Sequence, residues 1–329
     1  MKHILVTGGA GFIGSNIVQH HLEKGDHVWA VDNLQSGQMK NIEAYLNNPL
    51  FQFDQADLCT WSALQKAVQW ADYIYHMAAV IGQRQVIAKP IETLCNNIKG
   101  CERILEAMCS KKSVRLIIAS TSGLYIHSEP EADDSYKETA QVGFTSGAYI
   151  QESYPVSKLV DEVMCLAYAK EEGLDCTIAR LFNTIGVHQS SRYGMVVPTF
   201  VEQALNNNPI TVHGTGLQTR SFCSVHDTVQ LLNSLLDNPK SKSEIVNIGN
   251  DKECSINELA KMVKERTQSQ SEIVHISYQE AYGIDFIDVQ RRKPNLEKMH
   301  RLTGYKPKWT LEQTIDETIE SLRPKIVVG

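Results

Sequence analysis

The 329 residues carry 32 Lys and Arg against 38 Asp and Glu, for a net charge of −6, and 42% of them are apolar. This balance suits a soluble chain with one large core and a smaller one, and no basic block exists to track nucleic-acid phosphates. No run of about 18 apolar residues could span a bilayer, and the eight cysteines never stand in a C-x-x-C spacing, so a zinc knuckle or redox dithiol is not indicated; a reducing, cytoplasmic setting is expected.

In chain order, Ile4 to Thr7 reads as a strand, too short for the apolar stretch of a signal peptide, and Ile13 to Lys24 as a helix. His27 to Val31, Phe51 to Gln55, Tyr73 to His76 and Arg115 to Ala119 read as strands, with helical patterns between them, notably Ile91 to Cys109. Pro155 to Glu171 is a further helix and Leu174 to Ala179 a further strand. Strand–helix alternation of this kind predicts an α/β fold, a doubly wound parallel sheet covered on both faces. The stretch from Ser128 to Ser153 lacks periodicity and reads as a long loop near the site. After Arg180 the texture becomes irregular, but Ser255–Glu258 and Thr310–Gln313 are capping-box patterns that open helices. The expected organisation is a dinucleotide domain over 1–180 and a smaller substrate domain over 181–329, with some later segments returning to the first.

The sharpest local signal follows the first strand. Gly8, Gly11 and Gly14 form G-x-x-G-x-x-G, in which the first glycine permits the turn, the second the approach of a pyrophosphate, and the third close helix–sheet packing. A strand before and a helix after give that pattern its context. Asp32 ends the second strand, about 20 residues on, where a carboxylate would accept hydrogen bonds from ribose hydroxyls. No Arg follows it through Asn33 and Leu34, so NAD is expected rather than NADP. Asp57-Leu58 and His76-Met77-Ala78-Ala79 lie at carboxyl ends of strands, where such sheets bind ligands; His76 could equally be a loop histidine without a role.

Tyr154 and Lys158 stand at i and i+4, on one face of a helix. The pair is common by accident, yet a phenol beside an ammonium can lose its proton more readily and serve as a base. Thr121, at the end of the fifth strand within Ser120-Thr121-Ser122, is placed to hydrogen-bond a sugar oxygen that alternates between alcohol and ketone.

Together these segments resemble the extended short-chain dehydrogenase/reductases, and the resemblance runs nearly end to end. It implies a Rossmann-type domain with NAD held by Gly8, Gly11, Phe12, Ile13, Gly14, Asp32, Asn33, Asp57, Leu58, Ala78, Ala79, Asn97, Tyr154 and Lys158. It implies a nucleotide-sugar, expected to be UDP-linked, held by Ser122, Asn183, Val197, His213, Arg220 and Arg292, the arginines on the diphosphate. A homodimer through the helices near 91–109 and 155–171 is also implied. Sugar 4,6-dehydratases of the family carry an Asp-Glu pair where this chain has Ser122 and Gly123, and decarboxylases of the family commonly have Glu at Gly123. Without those acids the expected reaction is 4-epimerisation of a UDP-hexose through a 4-keto intermediate, with UDP-glucuronate decarboxylation as the alternative. A non-catalytic NAD-binding regulator would have no need of Thr121, Tyr154 and Lys158 together.

Overall fold

The computed structural model describes residues 1–144, 150–283 and 288–323. Seven strands form one sheet in the order Ile245–Ile248, Asp175–Leu181, Arg115–Thr121, Tyr73–His76, His3–Thr7, His27–Asp32, Phe51–Gln55. All six pairings are parallel. The order reverses between His3–Thr7 and Tyr73–His76, and the crevice at such a reversal is where doubly wound sheets take ligands.

The strands are apolar on both faces because helices cover both. Leu5, Val31, Leu116 and Ile118 pack with Ile104, Leu105 and Cys165 on one side. Ile4, Val6, Val28 and Ile117 pack with Ile17, Val229 and Leu232 on the other. Alternation of period two therefore sorts neighbouring residues into two cores rather than into core and solvent.

A smaller unit has its own core of Val197, Phe200, Leu259, Val263 and Ile315. Its sheet joins Glu253–Ser255, Thr219–Ser224, Arg291–Pro294 and Ser135–Tyr136, with Asn183–Ile185 paired to Thr219–Ser224. Both anticipated capping boxes are formed, at Ser255–Glu258 and Thr310–Gln313. The chain does not pass once from one unit to the other. Helix Val225–Asp237 packs beside helix Phe12–Glu23, and Ile245–Ile248 is an edge of the large sheet. In the reverse direction, Ser135–Tyr136 lends a short strand to the smaller sheet; of the stretch read as loop, residues 145–149 lie outside the described residues.

A buried polar network joins the two units. Arg180, at the end of its strand, donates to both oxygens of Glu162 at 2.9 and 2.8 Å and to the Tyr125 hydroxyl at 2.9 Å. Ser120 donates to Glu162 at 2.5 Å, and Tyr125 donates to Asn247 at 2.8 Å. Burial works against the Arg180 charge, but Glu162 and Tyr125 outweigh it and raise its pKa. Removing one partner strands the other charge in the core. Arg180→Met should therefore cost about 3–5 kcal/mol of stability, read as a lower urea midpoint, whereas a midpoint within error of the parent would show that the network carries no such strain.

Candidate active site

One cavity of about 630 Å³ opens along the carboxyl edge of the large sheet. Every residue named above as holding NAD or the sugar, or as catalytic, lines it, from Gly8 to Arg292; His76 does not. The glycine turn explains its floor. Gly8 has φ +70°, and a Cβ there would lie 2.8 Å from the Ala78 nitrogen. A Cβ on Gly14 would lie 2.0 Å from the Gly8 carbonyl oxygen, so the helix sits directly on the turn. That helix, Phe12–Glu23, has no side-chain cap at Gly11 and no acid in its first turn. Its N–H groups and positive dipole end face the cavity, as a pyrophosphate requires.

Asp32 is buried beside this turn and accepts from the Leu34 nitrogen at 2.8 Å and the Ala10 nitrogen at 3.1 Å. Burial raises its pKa against those hydrogen bonds. A Cβ on Gly37 would lie 2.7 Å from both carboxylate oxygens, so the floor beside Asp32 admits backbone only. The bare turn, the uncapped helix and the carboxylate fit a dinucleotide with free ribose hydroxyls, and they are the residues that would hold NAD. Asn97, from helix Pro90–Met108, fixes the next loop by accepting from the Val80 nitrogen at 2.7 Å and donating to Ser157 at 3.0 Å.

His76 stands outside the cavity, as a core histidine rather than a loop one. It is the last residue of its strand, it is 1% exposed, and Thr7 meets its Nδ1 at 2.8 Å. It is absent from the cavity wall, while Met77, Ala78 and Ala79 are on it. Burial, and then the Lys158 charge, press its pKa down to about 3, so it is a neutral core imidazole.

Tyr154 opens helix Ser153–Glu171 and Lys158 follows one turn later, both on the cavity wall. Thr121 caps the turn beyond its strand, its hydroxyl accepting from Gly123 at 3.0 Å, and it also hydrogen-bonds the Tyr154 phenol. Lys158 eases the phenol's ionisation as expected, but in the free protein burial outweighs it. Burial dominates and raises the Tyr154 pKa; Lys158 and Thr121 pull it down, and Asp161 pushes it up.

The far wall is cationic. Arg220 and Arg292 are direct partners across two parallel strands, an arrangement that sets like charges side by side. Arg220 is paired with Asp288 and donates to the Val289 carbonyl at 2.8 Å. Burial, and then Arg220, push Arg292 down to about 10. Adjacent guanidiniums of this kind are matched by an anion with several oxygens. Asn183, Val197 and His213 line the same end, together with Tyr278, Tyr282 and Asp288, which the sequence reading did not find. Tyr278 donates to Asp288 at 2.5 Å, and the Tyr282 ring stands edge-on to His213 at 5.3 Å. The capping box at Ser277–Glu280 was the available signal for that short helix.

The model of the NAD dependent epimerase/dehydratase family matches residues 4–249. The chain belongs to that family. A UDP-N-acetyl-alpha-D-glucosaminuronate decarboxylase of Bacillus cytotoxicus is 34% identical over 328 residues, covering 98% of each chain. UDP-glucuronic acid decarboxylase 1 of Xenopus tropicalis is 34% identical over 327 residues, covering 99% of this chain and 73% of the other. Among solved structures, UDP-glucuronic acid 4-epimerase of Bacillus cereus, in complex with UDP-glucuronic acid and NAD, superposes with a TM-score of 0.86 at 27% identity, covering 97% of this chain and 98% of that one. As a member of the epimerase/dehydratase family, the chain is an NAD-dependent enzyme whose cavity spans both of its units.

The paired arginines make a direct expectation. Arg220→Ala and Arg292→Ala should each weaken binding of a nucleoside diphosphate by roughly tenfold to a hundredfold, the loss of one charge-assisted hydrogen bond of about 1.5–3 kcal/mol. NAD binding should be nearly unchanged in both, as isothermal calorimetry would show; equal losses for the two ligands would remove the arginines from a separate diphosphate site.

Proposed function

We propose that this enzyme holds NAD on the glycine turn and a UDP-linked sugar across the cavity, and that it transiently oxidises the sugar at C4. The observation that carries this reading is the placement of Thr121, Tyr154 and Lys158 on one wall of a cavity whose other end presents Arg220 and Arg292 as strand partners. NAD, when bound, supplies the acceptor and later the donor of the C4 hydride. Thr121 holds the C4 oxygen, and Tyr154 takes the hydroxyl proton and returns it. Tyr154 acts in this step as the phenolate, which the Lys158 ammonium favours, and it becomes the neutral phenol on taking the proton.

Three outcomes are open to a 4-keto sugar, and the residues bear on each. Loss of water requires a base to remove the C5 proton and an acid to release the hydroxyl. Ser122 and Gly123 stand where dehydratases of the family carry those groups. A Cβ on Gly123 would lie 3.3 Å from the Thr121 hydroxyl, so that position borders the reacting oxygen but brings no carboxyl. Loss of carbon dioxide has no such requirement. In a 4-keto hexuronate the C5–C6 bond breaks and its electron pair flows into the ketone, which leaves only a proton to be delivered to C5. Absence of acids at 122 and 123 therefore argues against dehydration but not against decarboxylation, contrary to the inference drawn from the sequence.

Decarboxylation of a UDP-hexuronate is the leading reading, supported by two relatives named as decarboxylases that match nearly the whole of this chain. Epimerisation at C4 is the second reading, supported by the likeness to the Bacillus cereus 4-epimerase and by the minimal set of acid–base groups. We also propose a homodimer. Helices Pro90–Met108 and Ser153–Glu171 pack together and leave Ile91, Val163 and Leu166 exposed.

Incubation with UDP-glucuronate, UDP-N-acetylglucosaminuronate, UDP-glucose and UDP-N-acetylglucosamine separates the outcomes by product mass. A product lighter by carbon dioxide supports the first reading, one of equal mass the second, and one lighter by water contradicts both. Tyr154→Phe should keep the fold and lower turnover at least ~10²-fold. Val163→Glu together with Leu166→Glu should give a monomer in sedimentation velocity; an unchanged species would move the interface elsewhere.

A further inference from the structure

The sequence pattern presents Lys158 as a free ammonium beside Tyr154, but the structure gives it a partner. Its Nζ donates to Asp161 at 2.9 Å, one helical turn away, and the two side chains are 1% and 0% exposed. The second carboxylate oxygen of Asp161 is buried with no cationic partner among the described residues, so Lys158 is the positive charge that the carboxylate faces. We propose that Asp161 is a positioning residue that sets the proton affinity of Tyr154 by neutralising Lys158 in the resting site. The inference rests on the reading of Tyr154 as the base at C4.

Charge counting gives the consequence. With the phenol protonated, Lys158 and Asp161 sum to zero in a buried site. Ionising Tyr154 then leaves one net negative charge there, which burial opposes. A second positive charge must be beside the phenol for it to ionise readily. The oxidised nicotinamide ring carries such a charge and the reduced ring does not. Asp161 thus ties the base form of Tyr154 to the oxidised cofactor, and the acid form to the reduced one. This is the order in which the C4 oxygen first gives up a proton and then receives it.

Among the described residues, few titratable groups face the trio. Cys101, from helix Pro90–Met108, hydrogen-bonds Asp161. His76 approaches Lys158 from the strand Tyr73–His76 and is neutral. Glu162 reaches Asp161 along the helix but is held by Arg180, and Thr121 meets the phenol from its own strand. None of these supplies a positive charge to replace that of Lys158.

Ultraviolet difference titration tests the proposal on protein freed of nucleotide. Subtracting Tyr154→Phe from the parent isolates one of the 12 tyrosines. The parent should ionise Tyr154 above the ~10 of free tyrosine. Asp161→Asn should lower that midpoint by at least ~1 pH unit, and Asp161→Glu should restore it. The acid limb of kcat/KM should move the same way, with KM for the sugar nearly unchanged. An unmoved or higher midpoint in Asp161→Asn overturns the proposal. Should that variant not fold, a parent midpoint at or below that of free tyrosine overturns it equally. Because the titration needs no sugar, the shift can appear even if no UDP-sugar turns over, an outcome that would reject the C4 chemistry alone.

Discussion

Helix Ser153–Glu171 carries two adjacent acids into the protein interior, and the site depends on how they are paired. Asp161 meets Lys158 of its own helix, and Glu162 meets Arg180 of the neighbouring strand. Neither pair is a cheap source of stability, since desolvation offsets most of the attraction. Their effect is placement. Glu162 and Arg180 pin the helix against the carboxyl end of the sheet, while Asp161 pins the ammonium one turn below the phenol. Tyr154 is then presented to Thr121 with little freedom to move.

The same constraint explains how two units make one cavity. Arg180 reaches from the large sheet to Tyr125, and Tyr125 reaches Asn247, whose side chain also donates to the Tyr136 carbonyl at 2.8 Å. Tyr136 belongs to the strand paired with Arg291–Pro294, and that strand sets Arg292 beside Arg220. A chain of buried polar contacts therefore runs from the helix that carries Tyr154 to the strand paired with the one that carries Arg292. Asp288 occupies Arg220 in the free protein, so a diphosphate arriving there has a carboxylate to compete with.

Much of this was legible in the sequence where the signal is local. Glycines at fixed spacing between a strand and a helix, an acid at the next strand end, and Tyr and Lys one turn apart each need only a few residues of context. The two capping boxes were readable for the same reason. What could not be read depends on tertiary burial. An Asp three residues beyond a Lys on a helix is ordinarily a solvated pair, and only the cover from helix Pro90–Met108 makes it an internal charge. The register of Arg220 with Arg292 joins strands far apart in the chain. The sequence left His76 open between a ligand-binding end and a histidine without a role, and only its burial at the end of the strand decides between them. A return of later segments to the large unit was expected, but which ones, residues 225–237 and 245–248, was not, because both units use similar apolar helices.

The reaction reading turns on whether the C4 hydrogen leaves the sugar and comes back. A UDP-glucuronate labelled with deuterium at C4 tests this directly. The label should be retained at C4 of the product, whether the product has lost carbon dioxide or has only changed configuration, and no reduced cofactor should accumulate in solution. Loss of the label to solvent, or its appearance in released NADH, would contradict a site built to borrow the hydride and return it.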